Sequence, residues 1–395
     1  MRVLVAAFGD AGHAFPAIAL ARALRRRGHE VVVESWERWR EAIEREGLGF
    51  TAAEEYRVFP PLPPDAGVYP SAASAARALV PMLEELRPDA VVSDILTLAP
   101  ALAAEVAGIP RATLIPHVYP VHEPGLPFFA LGAMPPRTPL GRLAWRAWLP
   151  ALTAGLRRGR KELNRTRAEL GLPPLERYHG GLSEALVLVA TFPQLEYPRR
   201  WPPAVHVTGP MEFELPYPPV EPPPGDAPLV LVAPSTAQDP GGRLVRVALE
   251  ALAGEPVRVL ATTNRPEAEL GLPAAPPNAK VVEWISYSDA MRRATLVVCH
   301  GGHGTVARAL ALGRPVLCCP AAGDMAETGA RVAWAGAGLS LPWRLTRPAP
   351  LRWAVRRMLA DERFARRAST LARWAAANDG AARGAELVEG LAGTA

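Results

Sequence analysis

Lysine is nearly absent from this 395-residue chain: of 44 basic residues only Lys161 and Lys280 are lysines, and the rest are arginines. The arginines are scattered along amphipathic segments, apart from short clusters such as Arg25 to Arg27, and the net charge is only +5. Scattered guanidinium groups make a solvated surface rather than a concentrated basic stripe, so no nucleic-acid partner is expected. Cysteine is scarce as well. Cys299, Cys318 and Cys319 lie in one apolar region, and an odd number in one place is not a disulfide framework. No apolar run reaches the ~18 uninterrupted residues of a membrane span, so no integral membrane segment is expected. The first apolar run, in "MRVLVAAFGDAGH", breaks at Gly9-Asp10 and has its positive charge after it, unlike a secretory signal. C-x-x-C, H-x-x-x-H, Walker A, G-x-G-x-x-G and acidic D-x-D motifs are all missing. No metal and no resident cofactor are therefore expected, and the chain reads as a soluble, reduced, cytoplasmic protein.

What is present is apolar residues, at 49%, and a repeated grammar of strand, glycine turn and helix. "RVLVAAF" reads as a strand, "GDAGHAFP" as a turn, "AIALARALRRRG" as a helix and "HEVVVES" as the next strand, a βαβ unit. "PDAVVSDIL", "TLAPALAAEVAG" and "IPRATLIP" repeat it, and the pattern starts afresh at "PLVLVAPST". The prolines of "LPYPPVEPPPGDAP" fit neither helix nor central strand, so they form an extended, semi-stiff linker. The expected architecture is α/β: two doubly wound, Rossmann-like domains, residues 1–215 and 228–395, joined by a linker at 216–227. The last helix is a candidate to pack back on the first domain. Ligands of such folds bind at the carboxyl ends of the strands, which puts the site in the interdomain cleft. Two proline-rich loops interrupt the pattern, Val58 to Pro70 and Pro116 to Pro150. The second carries Phe128, Phe129, Trp145 and Trp148, which are read either as packing of an inserted helical segment or as an apolar acceptor wall.

The stretch "VVCHGGHGTVARALALGRPVLCCP" holds the strongest chemical pattern. A metal site is a poor fit, because alternation along the strand points Cys299 away from His300 and sends Cys318 and Cys319 to opposite faces. A phosphate cradle fits better. A strand ends at His300, glycines admit a close ligand, and a helix starting near Gly304-Thr305 aims free N–H groups and its positive dipole end at an anion. Thr305 suits an N-cap or a phosphate donor, and the His300 imidazole reaches the same anion. A plain glycine turn with His300 bonded in the core remains the alternative. In the first domain, His13 sits at the turn after the first strand, where it reads either as a general base facing the cleft or as a helix-start histidine bonded to backbone. Asp94, at the end of a strand in the same domain, reads as a base-orienting carboxylate or as the N-cap of the following helix.

The order Trp284, His300, Gly302, Thr305, Asp324, with sixteen residues from Trp284 to His300 and twenty-four on to Asp324, resembles the donor-binding pattern of the GT-B fold, family-one nucleotide-sugar glycosyltransferases. The bacterial secondary-metabolite enzymes are the nearest in kind. The resemblance implies that Trp284 stacks on the nucleotide base and that the Ile285 backbone meets the base edge. It implies that His300, the amides of Gly302, His303 and Gly304, and the Thr305 hydroxyl hold the diphosphate, with Ser235 and Thr236 facing it. Asp324 would hold sugar hydroxyls. The family's G-H-x-x-P pattern matches Gly12 to Pro16, which makes His13 the base that deprotonates the acceptor, paired with Asp94.

The chain departs from the family in three places. W-x-P-Q is replaced by Trp284-Ile285-Ser286-Tyr287, the glutamine after the aspartate is Met325, and a glutamate that many relatives use for the ribose is Arg308. The expected activity is inverting, metal-independent transfer of a hexose or deoxyhexose from a UDP- or dTDP-sugar to a hydrophobic small-molecule acceptor, by a monomer or homodimer. Three alternatives are a membrane-associated lipid or cell-wall glycosyltransferase, a non-hydrolysing epimerase, and a silent sugar-nucleotide-binding accessory protein.

Overall fold

A computed structural model describes residues 1–53, 68–236 and 238–393. The proline-rich stretch from Val58 lies outside the described residues as far as residue 67, and the chain is helical from Val68.

The first half is built on strands β1 (Arg2–Ala6), β2 (Glu30–Ser35), β3 (Gly49–Ala52), β4 (Ala90–Asp94), β5 (Arg111–Ile115), β6 (Leu186–Val189) and β7 (Val205–Val207). Between them run helices α1 (Ala11–Arg26), α2 (Arg40–Arg45), α3 (Val68–Leu86), α4 (Leu98–Val106), α5 (Pro139–Ala147) and α6 (Leu149–Glu169). The second half contributes β8 (Leu229–Ala233), β9 (Arg258–Thr262), β10 (Ala279–Val282), β11 (Leu296–Cys299), β12 (Val316–Cys318) and β13 (Gly338–Ser340). Its helices are α7 (Arg243–Leu252), α8 (Tyr287–Arg293), α9 (His303–Ala311), α10 (Met325–Ala335), α11 (Pro348–Ala360), α12 (Arg363–Ala377) and α13 (Gly380–Ala392). Among the described residues no helix is long and apolar enough to cross a membrane.

The strands pair in parallel in two sheets, ordered β3-β2-β1-β4-β5-β6-β7 and β10-β9-β8-β11-β12-β13. Near-continuous apolar strands such as "LVLV" and "LVVC" suit sheets covered by helices on both faces. In each sheet the chain turns back between two central neighbours, β1 and β4 in one, β8 and β11 in the other. The loops leaving neighbouring strands at such a switch point diverge and open a crevice.

The last helix does not stay with the second sheet. Ala385 and Val388 of α13 are buried in the core of the first sheet, and Glu389 accepts hydrogen bonds from Arg27 at 2.7 and 2.8 Å. A Cβ on Gly384 would come 2.7 Å from the Met211 methyl, so glycine permits this close seat.

The sequence placed the first helix after Pro16. In the structure α1 starts at Ala11, and Pro16 stands inside it. Its missing N–H removes the bond to the Gly12 carbonyl, and His13 lies in the first turn rather than in a free loop. The other glycine turn shifts in the same direction: α9 starts at His303 with Gly302 as its N-cap, so Thr305 is not the cap.

Candidate functional site

The two switch points face each other across the cleft. His13 follows β1 and Asp94 ends β4, and pairing of these strands brings together residues that are 81 apart in sequence. His13 Nδ1 donates to Asp94 Oδ2 at 2.8 Å, and the other carboxylate oxygen accepts the Leu96 N–H at 2.8 Å. Asp94 is therefore not the N-cap of α4, which is Thr97. With Nδ1 occupied, the lone pair of the neutral ring lies on Nε2. Burial alone would lower the His13 pKa. The charge and hydrogen bond of Asp94, aided by Asp324 and Asp10, outweigh it and raise the pKa above 6.5.

Side chains that the sequence reading passed over complete this end. His117, two residues past β5, has its ring 6.1 Å from that of His13, and its Nδ1 donates to the Val118 carbonyl at 2.8 Å. Burial and the neighbouring His13 lower its pKa, so it stands neutral beside His13. Phe8 meets the His13 ring edge-on at 5.9 Å, with Trp36 4.9 Å behind it. Phe8, Trp36 and His117 all follow strand ends on the same edge, which was the available signal. Of the loop residues Phe128, Phe129, Trp145 and Trp148, Phe129 reaches this group, 5.7 Å from His117. Phe128 packs with Trp145 at 5.7 Å and with His122 at 4.9 Å, under α5. Trp148, 62% exposed, points into solvent.

Across the cleft, α9 presents its N-terminus. A Cβ on Gly302 would lie 2.2 Å from His300 Nε2, so glycine is what lets the His300 ring lie across the start of the helix. Gly301 has φ of +86°, and its position abuts the Met325 carbonyl. Gly304 faces open space, and the half-buried Thr305 follows it. His300 Nδ1 points at the Ala233 carbonyl at 3.2 Å, and burial lowers its pKa. The His303 ring is buried against the first domain, beside Ala190 and His117, and burial drives its pKa down to about 3. Asp324 precedes α10, and its charge acts on His13, His117 and His300 together. It therefore lies between the two ends of the site.

A cavity of about 570 Å³ runs from this helix end to Trp284. Thr236, Trp284, Ile285, His300, Gly302, His303, Gly304 and Thr305 line it. Ser235 does not: it is buried, and its hydroxyl accepts the Gln238 N–H at 2.9 Å. Trp284 is 43% exposed and lies parallel to Tyr217, with ring centroids 5.8 Å apart. The two residues that replace P-Q hold the local fold. Ser286 caps α8 through the Asp289 N–H, and the buried Tyr287 hydroxyl bonds Asn264 at 2.8 Å.

The domains meet in a buried charge cluster. Arg331 of α10 bonds Glu327 at 2.8 Å, Glu196 at 2.9 Å and the Leu195 carbonyl at 3.1 Å, and lies over the Tyr197 ring. The three cysteines are buried, Cys299 opposite Cys318 in register in the second sheet and Cys319 just past the end of β12. Among the described residues no three His, Cys, Asp or Glu side chains are grouped so that they could hold a metal ion.

Comparison with known proteins agrees with this layout. Residues 3–113 match the Glycosyltransferase family 28 N-terminal domain, and residues 247–391 match the Erythromycin biosynthesis protein CIII-like, C-terminal domain. The 4'-demethylrebeccamycin synthase of Lentzea aerocolonigenes is 31% identical, over 99% of both chains. A glycosyltransferase of kitacinnamycin superposes with a TM-score of 0.80 at 21% identity, covering 99% of this chain and 98% of the other. The spinosyn rhamnosyltransferase SpnG complexed with thymidine diphosphate superposes with a TM-score of 0.70 at 21% identity, covering 99% of this chain and all of the other.

Proposed function

Because the chain belongs to the GT-B glycosyltransferases of natural-product biosynthesis, enzymes that use sugar-nucleotide donors, we propose that it transfers a hexose or deoxyhexose, with inversion, from a UDP- or dTDP-sugar to a hydroxyl of a hydrophobic small molecule. The observation that carries the reading is the 2.8 Å bond from His13 to the fully buried Asp94, set opposite the N-terminus of α9.

His13 Nε2 takes the proton of the acceptor hydroxyl while that oxygen bonds the anomeric carbon. The bond from that carbon to the phosphate oxygen breaks on the opposite face, and the nucleoside diphosphate leaves with the electron pair. Asp94 holds the ring in the tautomer that leaves Nε2 free and stabilises the imidazolium that forms. The free N–H groups of Gly304 and Thr305 and the helix dipole take up the charge of the leaving group. The mechanism needs no divalent ion at the diphosphate, and turnover that survives EDTA is the expected outcome.

The thymidine diphosphate bound by the spinosyn enzyme supports a nucleotide of this size in the cleft. Phe8, Trp36 and Phe129 around His13 support an apolar acceptor. Met325 offers a sugar no hydrogen bond of the kind glutamine gives, which favours a deoxysugar. A donor panel in which fully hydroxylated glucose is preferred would count against that choice.

The test of the base is His13→Ala, with donor binding followed by thermal shift. Transfer should fall by about 10²–10⁴-fold, the usual contribution of a positioned base, with donor binding retained. Unchanged turnover refutes the assignment. Conversion of donor in the absence of any acceptor would identify an epimerase instead.

A further inference from the structure

One wall of the cavity belongs to neither sheet. The chain between β7 and β8 passes along it as an extended strap, with Glu212, Phe213, Glu214 and Tyr217 facing the space. The strap is held by Arg308 of α9. Arg308 Nη2 donates to the Phe213 carbonyl at 2.5 Å, and its guanidinium lies 3.8 Å from Glu212 and 3.6 Å from Glu214. Both Glu214 oxygens accept the Ser288 N–H at the start of α8, at 3.2 and 3.3 Å.

Arg308 stands where the resembled enzymes carry a glutamate for ribose hydroxyls. A guanidinium has five donors and no acceptor, so it cannot receive a hydroxyl proton. The acceptor has to come from elsewhere on the cavity wall, and Glu212 qualifies. Its Oε1 is buried without a hydrogen-bond partner among the described residues. The rest of the side chain is partly open, at 36% exposure, and burial of its inner part raises the Glu212 pKa more than Arg308 lowers it. Contacts link the wall in order. Tyr217 lies on Trp284, Glu214 on the start of α8 and on Arg308, and Arg308 is three residues along α9 from Thr305, a rise of about 4.5 Å. This order follows that of base, ribose and phosphate.

We propose that Glu212, positioned by Arg308 and by the strap that Glu214 anchors, accepts the ribose 3′-hydroxyl of the donor, so that the interdomain strap reads the nucleoside in place of α9. The proposal rests on the donor reading above. The reversed charge on α9 is then matched by carboxylates on the strap.

The test uses the full chain and isothermal titration with UDP, dTDP and the 3′-deoxy analogue of dTDP. The wild type should bind dTDP about tenfold or more tightly than its 3′-deoxy analogue, the size of a hydrogen bond to a charged group. Glu212→Leu, which removes both acceptor oxygens at similar size, should weaken dTDP, leave the analogue unchanged and reduce the discrimination to within about threefold, as a double-mutant cycle requires. Arg308→Met should erode the same discrimination with less effect on the analogue, as fits a positioning residue, and its melting temperature reports whether it stays folded. If the wild type ignores the 3′-hydroxyl, or Glu212→Leu keeps the full discrimination, the strap assignment fails while the donor reading stands. If neither UDP nor dTDP binds the wild type, both fail.

Discussion

Asp94→Asn is the sharpest probe of the catalytic end. Asparagine keeps the size of the side chain and an oxygen for the Leu96 N–H, so the fold has no reason to change. At the other oxygen, an NH₂ group now faces His13 Nδ1 at 2.8 Å. Two donors cannot share that contact, so the imidazole moves its proton to Nε2, the atom that has to accept the substrate proton. The working tautomer becomes the minor one, and an acceleration of about 10²–10⁴ from the positioned base is largely lost, or ~3–5 kcal/mol of transition-state stabilisation. The pH profile moves as well. In the wild type Asp94 offsets burial and raises the His13 pKa, so kcat/KM should fall as the pH drops through a value above 6.5. Without that charge, burial prevails and the acid limb shifts to lower pH. The stability linkage has the matching sign: a raised histidine pKa stabilises the fold below 6.5 and loses that effect as pH rises through the folded value. The melting-temperature gap between wild type and Asp94→Asn should therefore be wider at pH 5.5 than at pH 8.5. The assay is a kcat/KM profile from pH 5 to 9 with donor affinity measured alongside. A variant within about threefold of wild type, with an unmoved acid limb, would refute the orienting role.

Other outcomes follow from the donor end. Gly302→Ala places a methyl 2.2 Å from His300 Nε2, so the ring has to leave the helix start; nucleoside diphosphate affinity should fall about tenfold or more, while circular dichroism shows the fold retained. The Ala233 carbonyl holds His300 Nδ1–H, and burial keeps the free ring neutral. Nε2 can then bond a phosphate only by taking up a proton, so affinity should weaken as pH rises through the bound-state pKa, with proton uptake visible as a buffer-dependent calorimetric heat. Arg331→Met leaves Glu196 and Glu327 buried without their cation; a loss of about 3–5 kcal/mol is expected by denaturant unfolding. Burial already raises the Glu327 pKa, so that loss should shrink in mild acid as the carboxyl protonates. Trp284→Ala should weaken every nucleoside diphosphate by about 1–3 kcal/mol of stacking, measured by titration, irrespective of the sugar.

The α/β repeat was readable because both sheets use buried parallel strands written as short apolar runs, most of them alternating with helices and several followed by a glycine turn. His13, Asp94 and the His300 to Thr305 turn were readable for a related reason: each lies at a strand's carboxyl end, where such sheets hold ligands. Helix starts were less readable. α1 and α9 begin earlier than expected, at Ala11 and His303, because glycine and proline mark a turn in sequence without saying on which side of it the helix begins.

The strap was legible as extended chain and nothing more, since its prolines report backbone and not neighbours. Ser235 and Thr236 are adjacent in sequence, yet one hydroxyl is spent inside its own loop and the other faces the cavity.

By itself the sequence determined which segments become strands and helices, that they form two parallel sheets, and which turns stand at the strands' carboxyl ends, because hydrophobic period and turn composition are local properties. Tertiary structure alone decided which side chains meet. The 81-residue step from His13 to Asp94, the grip of Arg308 on the strap, the return of α13 to the first core and the seat of His117 beside His13 are contacts between distant segments. They depend on strand order and on the orientation of the two domains, which no local pattern of residues encodes.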